Sequence, residues 1–394
     1  MSTETPPPSQ RPEKKHIKAI VILASLFFLV GLGWFSYWWG WGRFYVSTDD
    51  AYVGGNLVVV TPQVDGIVTS LTADNTDIVP KGRPIVELDR TDPTLALQSS
   101  LDELARAVRQ VQQMFEQTLM LQAQVIAKKA LFVLAVQDFE HRRAVIDIGG
   151  VSLEDFETAT AKLEEAFYSL SATEHEYFSS LALVENTSVD THPLVELAKE
   201  RTRYEWVQLQ RHTISSPVHG IIAQRTVQVG EQVKSGQPLL AVIPIEEMWV
   251  DANFREVSLR NVRVGQPAKV TVDLYGNSLE FHGKVVGIGG GTGSVFSILP
   301  PQNATGNWIK IVQRVPVRIA LESHEIERYP LRLGLSTEVT IDIHQTYLPV
   351  FPEVKPVEEI YSTNIFACQE EGVEKLIQEI IQANLSPRVM EDIE

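Results

Sequence analysis

The chain has 394 residues, of which 44% are hydrophobic and 21% are charged, a composition that excludes an intrinsically disordered protein. The formal net charge of −16 argues against a nucleic-acid-binding protein, because phosphate binding needs clustered Lys and Arg side chains. The single cysteine, Cys368, excludes an intrachain disulfide and a zinc site built from several cysteines.

The N-terminal segment predicts one membrane-spanning helix. Its first residues are polar and end in a basic cluster, which we interpret as a disordered cytoplasmic lead. Ala19–Trp39 then runs for 21 residues without a charge, and as a helix it would span about 31 Å, the thickness of a hydrocarbon core. Basic residues before the run and tryptophans after it indicate a cytoplasmic N-terminus. A buried core helix is disfavoured because nothing interrupts the run, and a cleaved signal peptide because no Ala-x-Ala-like site follows it.

Two β-rich segments repeat each other. Gly66–Asp89 and Gly220–Ile243 align without a gap at an offset of 154, with six of 24 positions identical. Each predicts a strand, a turn and a second strand, and the turn glycines Gly82 and Gly236 are expected at positive φ. Because neither half is large enough to bury a core alone, we predict that the two halves pack as one sandwich. The pattern resembles the biotinyl-lipoyl fold, cut in two by an insertion.

That resemblance raises a carrier function as an alternative. Carrier domains attach biotin or lipoate to a lysine at the hairpin that joins the halves, and here more than 100 residues replace this hairpin. Lys81 lies in a Pro-Lys-Gly turn within the first half instead. We therefore interpret Lys81 as a solvated turn lysine.

The insertion predicts a long helical hairpin. Apolar positions alternately four and three residues apart run from Leu97 to Ile146 and return from Leu153 to Val184, a coiled-coil pattern. The first arm would form a rod about 80 Å long. Four inner positions are polar and either set the register, mark a second interface or are tolerated defects. These are Thr118, Gln122, Lys129 and Arg143.

The ends of both arms carry boundary signals. Asp92 is the predicted cap of the first helix, and Ser152 with Asp155 three residues later is the predicted cap of the second. Gly149-Gly150 marks the turn between the arms, and Asn186–Pro193 interrupts the returning arm.

The rest of the chain predicts a small antiparallel β-barrel followed by an acidic tail. Alternating apolar and polar residues recur in Met248–Phe254, Ala268–Leu274, His282–Ile288, Val315–Leu321 and Thr337–Ile343. The chain after residue 344 holds ten acidic and three basic residues and includes a short amphipathic helical pattern. The sequence does not indicate what that helix packs against.

No catalytic motif is present in the sequence. It lacks a Gly-x-Ser-x-Gly elbow, a His-Glu-x-x-His pair and a Walker loop. The glycine-rich run Gly287–Gly293 is followed by two prolines rather than by a helix, which argues against a nucleotide site. Asp49 and Asp50 are interpreted as solvated linker residues. We therefore expect neither an enzyme nor a bound cofactor.

The order of these parts resembles the bacterial membrane fusion, or periplasmic adaptor, proteins of the HlyD superfamily. Several blocks are similar to its EmrA-like multidrug-export branch over roughly residues 15–345. They are Ser47–Gly54, Ala73–Asp77, Met248–Phe254, Gly265-Gln266-Pro267, Gly291–Pro300, Gln302–Val317 and Tyr329–Thr337.

The resemblance implies an elongated multidomain α+β protein with a transmembrane helix, a split lipoyl-like sandwich interrupted by an antiparallel coiled-coil hairpin, and a small barrel. The predicted boundaries are 1–18 for the lead, 19–41 for the transmembrane helix, 42–91 for the first barrel strand and first half-sandwich, 92–212 for the hairpin, 213–245 for the second half-sandwich, 246–345 for the barrel and 346–394 for the tail.

The resemblance also implies a non-enzymatic, homo-oligomeric adaptor in the bacterial inner membrane. It would join a major facilitator drug antiporter there to a TolC-like outer-membrane channel, with most of the chain in the periplasm. An adaptor of type I protein secretion, served by an ATP-driven pump, is the alternative.

The tip of the hairpin is the candidate docking site for the channel. Related adaptors carry an Arg-x3-Leu-x6-Ser pattern there, which Arg142, Ile146 and Ser152 approximate with isoleucine for leucine and the serine one residue closer. The predicted tip comprises Arg142, Arg143, Ile146, Gly149, Gly150 and Ser152.

Overall fold

In the computed structural model, the described residues are 14–40, 42–276, 278–293, 295, 312–353 and 359–386. The first helix, α1, is Lys14–Gly40, so it begins before the predicted segment and ends near its predicted boundary. The apolar side chains of α1 from Ile20 onward are exposed. By length and composition this helix can cross a membrane. The predicted lead before residue 14 lies outside the described residues.

The split sandwich forms as predicted, from strands on both sides of the insertion. The strands of its first half are β2 Val58–Val60, β3 Gly66–Leu71, β4 Ile78–Val79 and β5 Pro84–Leu88. Those of its second half are β6 Thr213–Ser215, β7 Gly220–Ala223, β8 Gln232–Val233 and β9 Leu240–Pro244. The two sheets have the orders β2-β9-β7-β4 and β6-β5-β3-β8, so each sheet mixes both halves.

Matching hydrogen bonds relate the two halves by an approximate twofold axis. The Gly82 amide donates to the Ser216 carbonyl at 2.8 Å, and the Gly236 amide donates to the Pro62 carbonyl at 2.9 Å. Both glycines have the predicted positive φ, +83° and +80°. The sandwich encloses its own buried cluster, which includes Val79, Ile85, Val233 and Leu239. The repeat in the sequence therefore records a symmetric pairing of two half-motifs.

A helical insertion leaves the sandwich between β5 and β6. It consists of α2 Thr91–Val145, α3 Leu153–Val184 and α4 Pro193–Gln210. The distal part of α2 pairs with α3, whereas its proximal part packs against α4. At 1.5 Å per residue, the 55 residues of α2 make a rod of about 80 Å.

The predicted cap of α2, Asp92, is wrong, because the N-cap residue is Arg90, whose side chain makes no capping hydrogen bond. The helix begins at Thr91, before Asp92, and it is Asp89 whose carboxylate accepts hydrogen bonds from the Thr91 amide at 3.0 Å and hydroxyl at 2.7 Å. These bonds lower the pKa of Asp89. Two aspartates flank the true start, and only the bonding pattern shows that Asp89, and not Asp92, is bonded to the first residue of the helix.

Three of the predicted polar inner positions are also wrong. Gln122, Lys129 and Arg143 are exposed, and beside the first two the neighbours Leu121 and Lys128 are the more buried residues. A straight α-helix has 3.6 residues per turn, so the inward face drifts from a strict heptad. Thr118, in contrast, is inward as predicted, and its hydroxyl lies 2.7 Å from the Ser180 hydroxyl of α3.

Six strands form the barrel, of which one precedes the sandwich and five follow it. They are β1 Tyr45–Gly55, β10 Met248–Arg255, β11 Pro267–Val272, β12 Glu280–Ile288, β13 Arg314–Leu321 and β14 Ser336–Asp342. The barrel is closed in the order β1-β10-β13-β12-β11-β14. A short helix, α5 Ser323–Arg328, follows β13. The buried rings of Phe254 and Phe281 contribute to the barrel core.

The interpretation of Asp50 as a solvated linker residue is wrong. It lies in β1 at a shift of register, where its carboxylate pairs with Arg314 at 2.9 Å and accepts a bond from the Asn253 amide at 3.2 Å. The shift turns this carboxylate toward neighbouring barrel side chains, an outcome that a sequence pattern does not reveal.

The C-terminal tail runs from the barrel past the sandwich to the base of the hairpin. The Val264 amide of the barrel donates to the Pro349 carbonyl, and the Thr363 hydroxyl donates to the Pro217 carbonyl of the sandwich at 2.9 Å. The amphipathic helix α6, Val373–Asn384, then packs on α2 and α4 through a shared buried cluster. The tail therefore contacts all three folded parts of the chain beyond α1.

Candidate functional site: the hairpin, its tip and the tail

Side chains that bridge α2 and α3 hold the distal hairpin together. The rings of Phe132 and Phe167 lie 6.0 Å apart, and nearer the tip those of Phe139 and Phe156 stack at 5.5 Å. Aromatic pairs at these distances add to the stability supplied by apolar burial. The distal arms therefore form a defined two-helix rod rather than two loosely associated helices.

The turn at the tip is built from local backbone bonds. The Gly149 amide donates to the Ile146 carbonyl at 3.0 Å and the Gly150 amide donates to the Val145 carbonyl at 2.9 Å. Gly149 has φ +74°, where a residue with a Cβ atom is strained. The paired glycines thus allow α2 to end and the chain to reverse within a few residues.

The predicted cap of α3 is confirmed. The Ser152 hydroxyl accepts the Asp155 amide at 3.1 Å and lies 2.6 Å from the Asp155 carboxylate, to which it donates. Capping bonds of this kind typically contribute about 0.5–2 kcal/mol to helix stability. Ser152 therefore shapes the start of the returning arm.

The two arginines of the tip have different roles in the geometry. Arg142 pairs with Asp138 at 3.2 Å and donates to the Asp155 carbonyl at 2.8 Å, so it joins α2 to the start of α3. Arg143 is exposed to solvent. The structure thus brings Arg142 and Ser152 together around Asp155, whereas Arg143 is presented outward.

The tip also has exposed apolar residues whose exposure the sequence pattern does not predict. Ile148 has 81% of its surface exposed and Leu153 has 66%, whereas the predicted Ile146 is half-buried. Ile148 falls outside the heptad pattern, whereas Leu153 is the predicted first inner position of the returning arm, and that prediction is wrong. An isoleucine between an aspartate and two glycines in a turn was the available signal, since turns rarely need such a side chain. The tip therefore carries an apolar surface beside an arginine.

A second exposed apolar surface lies on the distal half of α2. We call it the distal apolar surface; it comprises Leu119, Met120, Ile126, Leu131, Val133 and Leu134. Only 6% of an apolar stretch of 18 residues in α2 is buried, although the helix is paired with α3. A group of exposed large apolar residues on one helix is typical of an interaction surface.

The break between α3 and α4 is tightly organised. The ammonium group of Lys199 is almost fully buried and donates to the Asp190 carbonyl at 2.8 Å and to the Glu196 carboxylate at 3.0 Å. His192 accepts the Leu194 amide at 3.2 Å and thereby caps α4. The predicted interruption is therefore a structured joint.

One cluster has the composition of a metal site. Among the described residues, Glu322, His324 and Glu325 place ligand atoms within 4.8 Å of one another. Glu325 already accepts the backbone amide of His282 at 2.6 Å and lies 2.8 Å from its Nδ1 atom. These bonds account for the arrangement without an ion, and the cluster is largely exposed.

Comparison with known proteins identifies the family. A family model described as "EMRA, alpha-helical hairpin domain" matches residues 91–212. The probable multidrug resistance protein EmrK of Escherichia coli K12 is 40% identical over 94% of this chain and 97% of its own length. The multidrug export protein EmrA of Haemophilus influenzae is 40% identical over 93% of this chain and 94% of its own. The chain belongs to the EmrA-like multidrug export membrane fusion proteins.

Two further similarities extend the comparison. The fatty acid resistance protein FarA of Neisseria gonorrhoeae is 42% identical over 77% of each chain. A solved structure of the periplasmic adaptor protein EmrA aligns with a TM-score of 0.40 and 20% identity, covering 76% of this chain and 99% of that one. The relatives that are 40% identical show that the protein is an adaptor of the multidrug export type, as the sequence resemblance predicts.

The placement of Lys81 fits this family and not a carrier. It is exposed in the turn between β4 and β5, while the insertion that joins the halves is the helical hairpin. A swinging cofactor arm requires a lysine at the tip of the hairpin that joins the two halves. In this chain α2, α3 and α4 occupy that position.

The tail carries the only cysteine of the sequence, and its environment predicts slow thiol chemistry. Cys368 is exposed, and a hydrogen bond with the Glu371 carboxylate raises the pKa of its thiol. Since the thiolate is the nucleophile, alkylation by iodoacetamide should be slower near neutral pH than for an unperturbed cysteine and should accelerate well into alkaline pH.

The variant Glu371→Gln supplies the control for this prediction. It removes the carboxylate charge, and its alkylation profile should shift toward lower pH when measured by mass spectrometry. Superimposable profiles for both proteins would contradict the assigned cause.

Proposed function

We propose that the adaptor connects an inner-membrane drug/proton antiporter of the major facilitator superfamily to a TolC-like outer-membrane channel. The observation that carries the proposal is the helical rod that projects from the split sandwich and ends in an exposed tip. Such a rod reaches far from the anchor without a folded core wider than two or three helices. Its length of about 80 Å suits a component that bridges a gap between two membranes.

We further propose that α1 anchors the protein in the inner membrane as a single-pass helix. Basic residues that include Lys14, Lys15 and Lys18 precede its apolar run, which supports a cytoplasmic N-terminus by the positive-inside rule. The sandwich, hairpin and barrel then lie in the periplasm. This orientation is tested by fusing alkaline phosphatase after the barrel, where activity is expected, and before α1, where none is expected.

The distal apolar surface supports a homo-oligomer. A conduit between two membrane proteins needs several adaptor copies around one axis, which creates repeated lateral contacts between hairpins. In one copy the apolar side chains of this surface have no cover, and neighbouring hairpins would bury them. Ile126, with 66% of its surface exposed, is a suitable probe. A photoreactive amino acid there is expected to yield crosslinks between adaptor copies in membranes, because it reacts with whichever side chain of the neighbouring copy it meets.

We propose that the tip formed by Arg142, Arg143, Ile146, Gly149, Gly150 and Ser152 docks on the channel. Reversing the exposed charge in Arg143→Glu is expected to weaken crosslinking to the channel severalfold and to leave crosslinking to the transporter unchanged. The reason is that Arg143 makes no ion pair with any described residue, so its reversal alters the surface and not the turn.

Two controls separate docking from folding. Arg142→Glu should lose both the Asp138 pair and the bond to Asp155, and therefore should also loosen the tip. Lys129→Glu reverses an exposed charge farther down the same helix and should leave both crosslinks intact. Equal channel crosslinking by Arg143→Glu and the unaltered protein would argue against docking through the tip.

Purification of the crosslinked complex tests the partner assignment directly. Mass spectrometry is expected to identify a major facilitator transporter and a TolC-like channel. Recovery of an ATP-driven pump in place of the antiporter would instead assign the protein to type I secretion.

A further inference from the structure

A cavity of about 310 Å³ lies where the tail crosses the split sandwich. We call it the tail cavity. One wall comes from β2, one from the end of α4 and the following β6, and one from the tail segment around residue 366. Its apolar lining includes Val58, Val60, Ile214, Pro217, Ile365 and Phe366. A volume of this size falls in the range of sites that hold small organic ligands.

The tail cavity contains one charged side chain. Arg211 lines it, and no Asp, Glu or Lys is among the lining residues. The Nε atom of Arg211 is buried and has no hydrogen-bond partner within the part of the chain that the structure describes. A buried donor left without a partner is costly, so a fold retains one most readily where a ligand completes it.

Several arginines of the chain are paired with acidic side chains. Arg203 is paired with Glu374, Arg225 with Asp74 and Arg314 with Asp50. Each guanidinium has an acidic partner from a different element. Arg211 instead lines a cavity whose other lining residues are apolar or neutral, with Gln210 and Gln369 among them.

We propose that the tail cavity binds a small amphipathic organic anion. Its carboxylate would accept hydrogen bonds from the Arg211 guanidinium, which presents donors in a geometry that suits carboxylates. Its apolar body would lie against Val58, Ile214 and Ile365. The inference goes beyond the proposed bridging of two membrane proteins, because it gives the adaptor its own small-molecule site.

The position of the cavity ties the ligand to the tail. The tail wall is held on the sandwich by the bond between Thr363 and Pro217 at 2.9 Å, and it continues into α6 on the hairpin. A ligand in the cavity contacts both the sandwich and the tail, and so stabilises their association.

The single cysteine supplies the test, because Cys368 also lines the cavity. The full-length adaptor is placed in nanodiscs of phosphatidylcholine, and the rate of Cys368 alkylation by neutral iodoacetamide is measured with and without monomeric decanoate. At about ten times the Kd, roughly a tenth of the sites remain free and the rate should fall about tenfold. Decanol and decyltrimethylammonium, with the same chain and no negative charge, should give little protection.

Variants at one position link the effect to the guanidinium. Arg211→Gln should lose the protection by decanoate, and Arg211→Lys should retain part of it. Arg201→Gln, at an exposed arginine of α4, the helix that Arg211 follows, should behave as the unaltered protein. Helical circular dichroism and the thermal midpoint show whether each variant is folded; Arg211→Gln should be no less stable, since the arginine it replaces leaves a donor unpaired.

The outcomes separate the proposal from its alternatives. Absence of protection by decanoate, equal protection by decanol, or full protection of Arg211→Gln would each overturn it. Protection by phosphatidylglycerol in the nanodisc, without protection by decanoate, would assign the cavity to a lipid headgroup and also overturn it. The purified adaptor is tested without its transporter or channel, so these results are independent of the proposed partners.

Discussion

Deleting Ala123–Leu170 and closing the gap with a short glycine–serine turn is expected to abolish drug export while the rest of the protein folds. The deletion removes the tip and most of the distal apolar surface, the parts that we propose to contact the channel and neighbouring copies; only Leu119 and Met120 of that surface remain. It spares the bond between Thr118 and Ser180 and the buried cluster at the base of the hairpin. Export is measured as drug resistance in cells that lack the chromosomal adaptor.

The control for this deletion is a folding assay. The shortened protein should reach the membrane in normal amount and should retain a protease-resistant barrel and sandwich, because their cores share no residue with the distal hairpin. Full resistance with the shortened hairpin would contradict a role for the rod in export. A substitution that preserves the rod, such as Gln124→Glu on its exposed surface, should leave resistance unchanged.

The change Ile377→Asp is expected to detach the tail helix from the hairpin. Ile377 is fully buried in the cluster that joins α6 to Leu104, Val108 and Val195. An uncompensated buried charge costs about 3–5 kcal/mol, which is comparable to what a single short helix gains by docking. Amide hydrogen exchange in α6 should therefore approach the rate of an unfolded segment, and exchange in the facing part of α4 should also rise.

Gln378→Asp is the matched control, because it introduces the same carboxylate on the exposed face of the same helix. It should leave exchange in α6 close to that of the unaltered protein. Unchanged protection in Ile377→Asp would show that the bonds at the ends of the helix, from Arg203 to Glu374 and from Arg109 to Asn384, hold it without the apolar cluster.

Much of the architecture can be predicted because it depends on the spacing of apolar residues and of repeated segments along the sequence. The constant offset between the two β segments predicts that equivalent residues of the two halves have equivalent partners. The amides of Gly82 and Gly236 confirm this prediction, because they make equivalent hydrogen bonds. The alternation of apolar positions predicts two paired helices, and the Ser152–Asp155 pair predicts the start of the second. These signals are local or periodic, so the sequence carries them without reference to the rest of the fold.

The remaining features depend on contacts between distant segments. Asp50 finds Arg314 only when the first barrel strand closes against the later ones. The amphipathic pattern predicts α6, yet its partner is set by where the tail runs after leaving the barrel. Arg211 looks like an ordinary surface arginine in the sequence, and it becomes distinctive only once the tail covers it. No spacing rule relates residues such as these.

The interleaved order of the strands has a consequence for biogenesis. Because β3 pairs with β8, and β1 pairs with β14, neither β module has all its strands until the ribosome has made the segments beyond the helical insertion. The helices depend mainly on nearby contacts and can form early, whereas the β modules have high contact order and should fold slowly. If the helical insertion forms early, it shortens the effective loop between β5 and β6. The two halves of the sandwich are then held close together before their strands pair.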